Sequence, residues 1–218
     1  MSFEHSNSKP AHFSEDWPGQ FSLFSWMASV TAIPHVIFMV TTRKENGLPN
    51  ACLQGWSCFS GEGEHYYVVM SEVMTHTHTY RNIMRTGEFC INFLSADYVD
   101  QCKHSITANN DDTDEIISSG FTPEVARTID VPRIQESFLK LECRYEWEKE
   151  LHPNSRCRLI CGKVEFLAAS DTFIRSTVTE RYGKDSFMLH LMAMKDPNTG
   201  ERLRGGVGCV DVTREMEL

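Results

Sequence analysis

The sequence predicts a mainly β domain, a closed antiparallel barrel with short peripheral helices, and three observations carry that reading. Leu139, Leu141, Cys143, Tyr145 and Trp147 alternate with Lys140, Glu142, Arg144, Glu146 and Glu148, the pattern of a half-buried strand. Compact β-branched and aromatic runs recur along the chain between turn residues. Helical stretches are few and short, which favours a barrel over a doubly wound parallel sheet.

Taken in order, residues 1–12 are polar and without pattern, and are expected to form a disordered tail ahead of one domain over 13–218. Residues 34–42 read as a central strand, and Asn46-Gly47 supplies a hairpin turn that tolerates positive φ. Residues 50–59 read as the returning strand and 65–71 as a third. A short helix is expected over 80–85, stopped by Gly87, and a fourth strand over 88–94. The acidic passage 109–115 reads as a surface loop or helix start, and Val131-Pro132 marks a return to extended chain. Strands follow over 139–148 and 156–167, with Gly162 at a bulge or a close approach. Asp171 is expected to cap a helix running to about Tyr182. The apolar segment 187–194 has no clear type.

Composition narrows the function classes. A chain of 218 residues with 41% hydrophobic content can bury one core. Its net charge of -9 argues against a surface that neutralises nucleic-acid phosphates or anionic lipid. The first residues lack the charge layout of a signal peptide, and eight cysteines are scattered through apolar segments, so a cytoplasmic protein with reduced thiols is expected. Residues 21–40 carry no charge for the length of a membrane span, but their Ser and Thr residues, Pro34 and His35 favour a globular reading.

The densest polar cluster is Thr75-His76-Thr77-His78-Thr79, followed by Tyr80 and Arg81 where a helix should begin. Hydroxyls, exposed helix N–H groups and an arginine suit a phosphate. A plainer reading has one threonine capping the helix and the rest lining a solvated loop. A third reading takes His76 and His78 as two metal ligands on one face of a barrel strand. Cys157 and Cys161 read as buried thiols, and His190 as a satisfied core histidine.

Several motifs in order resemble the flavin reductase-like family. They are Pro34-His35-Val36 through Thr41-Thr42, Gly47-x-x-Asn50-Ala51, Trp56-Ser57, His78-Thr79-Tyr80-x-x-Ile83 and Thr86-Gly87-Glu88-Phe89-x-x-Asn92, with further matches at 132–143 and 162–164. The resemblance implies an FMN-binding split β-barrel, a homodimer, and flavin reduction by NADH or NADPH, or electron carriage to a redox partner protein. It places Asn50, Cys52, Trp56 and Ser57 beside the isoalloxazine. Thr75, Thr77, His78, Thr79 and Arg81 fall at the ribityl phosphate. Asn50 also reads as a turn-flanking residue and Trp56 as a core aromatic. A basic residue often found before the His-Thr-Tyr element is Thr77 here, so Arg81, a histidine or a residue outside the motif must meet the phosphate charge. No catalytic side chain is nominated, because the flavin itself accepts hydride.

Overall fold

The computed structural model describes residues 3–107 and 110–214. Two single-turn helices, α1 (Gln20–Leu23) and α2 (Ala28–Thr31), precede strand β1 (His35–Arg43). The chain continues through β2 (Pro49–Gln54), β3 (Ser57–Glu62), β4 (His65–Met74), α3 (His78–Thr86), β5 (Glu88–Phe93), α4 (Val99–Ser105) and α5 (Glu115–Ser118). A small ribbon, β6 (Pro123–Glu124) with β7 (Arg133–Ile134), leads to the long hairpin β8 (Leu139–Glu150) and β9 (Cys157–Ala169). Helices α6 (Asp171–Arg175) and α7 (Val178–Arg181) and strands β10 (Met188–Leu191) and β11 (Gly206–Cys209) complete it.

All pairings in the main sheet are antiparallel. The ladder runs β11-β10-β1-β5-β8-β9-β4-β3, and β2 also pairs with β1. Phe38, Val40, Val68, Met70, Ile91, Leu141, Cys143 and Ile160 fill the interior, and Ile83 of α3 packs into the same cluster. Among the described residues no ladder joins β2 to β4. The barrel is therefore split there, bridged by Gln54 Nε2 donating to the Ser71 carbonyl at 2.8 Å and by Ser71 N and Oγ donating to the Trp56 carbonyl.

The expected strand over 50–59 is two strands. A Cβ at Gly55 would sit 2.4 Å from the His35 ring, and Trp56 has φ 43°, so the chain leaves β1 at this corner and joins β4. The strand expected over 65–71 continues to Met74 beyond a break in register at Glu72, whose φ is 58°. Thr77 caps α3, which starts two residues before the expected Tyr80. The helix expected from Asp171 to Tyr182 is two helices, capped by Ser170 and Thr177; Ser176 and Thr177 are extended, and Thr177 with Glu180 forms a capping box. The untyped segment 187–194 supplies β10, paired to His35–Ile37 of β1.

Alternation along β8 misleads in one respect. Lys140 and Glu142, on the face expected to be wet, are buried, because the connection from Pro123 to Ile134 packs over them. A register shift between Tyr145 and Trp147 then leaves Trp147 45% exposed. Opposite that shift, a Cβ on Gly162 would meet Phe89 at 2.3 Å, which is the close approach the sequence suggests.

Within the segment read as a tail, Trp26 Nε1 donates to the Asn7 carbonyl and Lys9 Nζ to the Phe13 carbonyl; Phe13 just beyond it is buried. All eight cysteines are free thiols. Among the described residues no helix is long and apolar enough to cross a membrane.

Candidate functional site

One flank of the split is the outer edge of β2. The Ala51 N–H points away from β1 and donates to Glu115 Oε2 at 3.0 Å. Antiparallel alternation therefore puts the N–H and carbonyl of Leu53 on that same free edge. Leu53's carbonyl accepts the Cys52 thiol at 3.5 Å. Burial pushes the Cys52 thiol up to about 11, Glu115 adding to the effect and a Thr79 hydrogen bond opposing it. It is a protonated thiol at neutral pH, without thiolate reactivity.

The other flank is the end of β4 and the start of α3. Thr77 Oγ1 accepts the Tyr80 N–H and donates to the Met74 carbonyl, so this hydroxyl serves as the helix cap. Thr79 Oγ1 accepts from Asn50 Nδ2 at 3.1 Å in a buried contact that ties α3 to β2. His78 Nε2 lies 2.9 Å from Asp111, with Nδ1 3.6 Å from Glu115. Glu115 in turn pairs with buried Lys44 at 2.8 Å. Asn50, Cys52, His78 and Thr79 thus meet around one acid-centred cluster. His76 lies in a turn and His78 opens a helix, so the two are not alternate residues of a barrel strand.

At the corner between the flanks, Trp56 stacks on His35 with ring centroids 4.2 Å apart, and Phe24 lies over it at 6.0 Å. Ser57 Oγ donates to the Gly55 carbonyl. His190 Nδ1 is 3.3 Å from His35 Nε2. Burial pushes both imidazoles below their ordinary value, and the neighbouring His190 lowers His35 further. Rather than sitting in a purely apolar core, His190 borders the ring stack.

Thr75 leads to residues the sequence reading does not name. Its N–H and Oγ1 both donate to the Arg156 carbonyl, at 3.0 and 3.3 Å. Arg156 lines a polar cleft of about 360 Å³ between residues 21–25, Glu72 and residues 151–157. Glu72 has a buried Oε2 without a hydrogen-bond partner, and burial pushes its carboxyl up. Of the four non-glycine residues with positive φ among those described, Trp56, Glu72 and Asn154 border this cleft or its corner. Backbone strain of this kind concentrates at functional sites. No sequence spacing links Arg156 to Thr75; only the pairing of β4 with β9 brings them together.

These donors fit a flavin. The free β2 edge offers an N–H and a carbonyl of the kind a flavin pyrimidine ring needs. The first turn of α3 holds N–H groups outside the helical ladder, and Arg81 and Arg156 supply cations. Thr77, His78 and Thr79 already have protein partners, so the cations and backbone carry most of any phosphate contact.

Residues 23–173 match the model of the flavin reductase like domain. The chain belongs to the flavin reductase-like family, a family of flavin proteins. Its fold is similar to that of a split-barrel-domain protein of the flavin reductase type from Shewanella frigidimarina NCIMB 400, with a TM-score of 0.71, 16% identity, and 88% of this chain and 90% of that chain covered. It is similar to nitrilotriacetate monooxygenase component B from Bacillus cereus, at TM-score 0.69 and 18% identity over 100% of both chains. Flavoredoxin from Methanosarcina acetivorans is similar at TM-score 0.64 and 18% identity, over 85% of this chain and 89% of that one. At these identities the likeness concerns the fold, which is the split barrel.

Proposed function

We propose that the protein is an FMN oxidoreductase that accepts hydride from NADH or NADPH and passes electrons to a second flavin or a redox partner protein. The observation that carries this reading is the convergence, at one split in the barrel, of a free strand edge, a strained aromatic corner, a helix N-terminus and Arg156. Bound FMN supplies the hydride acceptor. The Leu53 backbone edge, with Cys52 and Ser57 beside it, orients the ring; Trp56, held by His35 and Phe24, walls the site and excludes water.

Arg156, held in place through Thr75, and the free N–H groups of the α3 first turn bind the phosphate, with Arg81 on the same helix. Glu72 faces the same cleft, and burial pushes its carboxyl up. A homodimer is part of the proposal, with exposed Trp147 a residue it would cover.

The test is the visible spectrum of the purified protein, followed by anaerobic addition of NADH or NADPH. A yellow protein that bleaches supports the reductase. A yellow protein that ignores both nucleotides establishes the carrier role instead, and a colourless protein that FMN cannot reconstitute overturns the proposal.

A further inference from the structure

The two ends of the barrel are filled differently. Beneath α3 the interior is closed by Ile83, Phe89 and Val73, all buried, with Tyr80 and Met84 packed against them. The opposite end holds a cavity of about 480 Å³, whose walls include Val36, Phe59, Phe93, Leu141, Phe187 and Tyr182. That volume is within the range of small-molecule sites and about three times that of a benzene-sized cavity. Its mouth is open to solvent, since Tyr66 and Leu167 on its rim are 42% and 50% exposed.

The geometry points to a binding site here for a neutral aromatic molecule of two fused rings, carrying at most a hydroxyl or carbonyl. The lining selects that class. Phe187 meets Phe93 edge-on at 5.1 Å, and Phe59 lies 5.6 Å from Phe93, so the walls present ring edges and faces to another ring. Among the described residues no charged side chain lines the cavity, so a carboxylate or phosphate has no partner in it. The phenols of Tyr66 and Tyr182 are the polar groups available to a hydroxyl or carbonyl.

The site is separate from the flavin site. Val36 and Leu189 line the cavity, while their neighbours His35 and His190 point to the other side of the same strands and meet Trp56. The inference therefore holds whether or not the flavin assignment does.

The test is a titration of the full-length protein, flavin-free and flavin-saturated, with 1-naphthol, using its fluorescence. Saturable one-to-one binding with a dissociation constant on the order of 10–100 μM is expected, alike in both forms. The anionic 1-naphthalenesulfonate should bind at least tenfold more weakly, and Leu189→Trp, which pushes an indole from the wall into the cavity, should weaken 1-naphthol at least tenfold. No saturable binding, as when a second copy of the chain covers the mouth, overturns the proposal. So does competition between 1-naphthol and flavin, or undiminished binding to folded Leu189→Trp. Should that variant fail to fold, crystals of the natural protein soaked in 1-bromonaphthalene decide: bromine within the cavity lined by Phe59, Phe93 and Phe187 supports the site, and bromine elsewhere or none overturns it.

Discussion

Two buried carboxylates anchor loops to the barrel, one behind the candidate site and one beneath it, and their surroundings differ in a way that bears on function. Glu142 on β8 is fully buried and saturated. It accepts the Arg127 and Thr128 N–H groups, the Thr128 hydroxyl at 2.7 Å and Arg133 Nη1 at 3.1 Å, while Glu124 engages both Arg133 and Lys140. Glu115 beneath the site is looser. Its Oε1 is 2.8 Å from Lys44 and 3.6 Å from His78 Nδ1, yet neither Oε1 nor that Nδ1 has a directed hydrogen bond. The scaffold is locked by geometry, whereas the cluster that touches α3 and β2 retains room to adjust. Arg133 Nε beside Glu142 also lacks a hydrogen-bond partner, so the contrast lies in the two carboxylates and not in their whole clusters.

The sharpest way to break this contrast is Glu142→Ala. It strands Arg133 and two backbone donors in a buried setting, and a loss of about 3–5 kcal/mol is expected in chemical denaturation. Glu115→Ala should cost about 2–3 kcal/mol, because Lys44 keeps the Asn110 and Thr113 carbonyls as partners. Unlike the first substitution, it should also weaken flavin binding in fluorescence titration, since the Ala51 N–H and His78 lose their anchor. Equal losses in both variants would erase the distinction drawn here.

Arg156→Ala probes the site without the clusters and should weaken FMN about tenfold while leaving riboflavin binding unchanged, as expected for a phosphate contact. Thr77→Ala removes the cap of α3 and should cost about 1 kcal/mol in thermal unfolding.

The smallest effect concerns pH. His35 and His190 resist protonation in the fold, so the unfolded chain binds more protons below 6.5. Stability should hold above that value and decline as pH falls below it. Glu142 has the same sign at lower pH. Burial alone would raise its carboxyl, but the Thr128 and Arg127 hydrogen bonds and Arg133 hold it below the usual 4.5, so its stabilisation is lost as acid protonates it. Replacing His190 by Asn should flatten the step near 6.5 and leave the acid limb in place.

Local signals made much of the barrel legible. Residues 34–42 and 88–94 are strands within a residue or two of their expected bounds, because their apolar runs and the Gly47 and Gly87 stops act over a few positions. The Thr75–Thr79 cluster also stood out, because hydroxyls before a helical segment have few local uses. Its capping reading is realised at Thr77, while Thr75 donates to the Arg156 carbonyl. Other features were hidden. Trp56 and Glu72 take left-handed backbone conformations that neither residue type advertises, and nothing near Arg156 in sequence connects it to Thr75. Lys140 and Glu142 sat in a pattern that normally means water on one side.

By itself, then, the sequence determined most of the central strands, the Gly47 and Gly87 turns, the family resemblance and the location of the polar cluster, since each depends on residues within a turn or a strand of one another. Only the tertiary structure decided where β2 leaves β1, which acids are buried, that Arg156 joins Thr75, and that His35, Trp56 and His190 form one group. Those outcomes depend on how distant segments pack, and desolvation and close contact are properties of the assembled neighbourhood, not of any one stretch of chain.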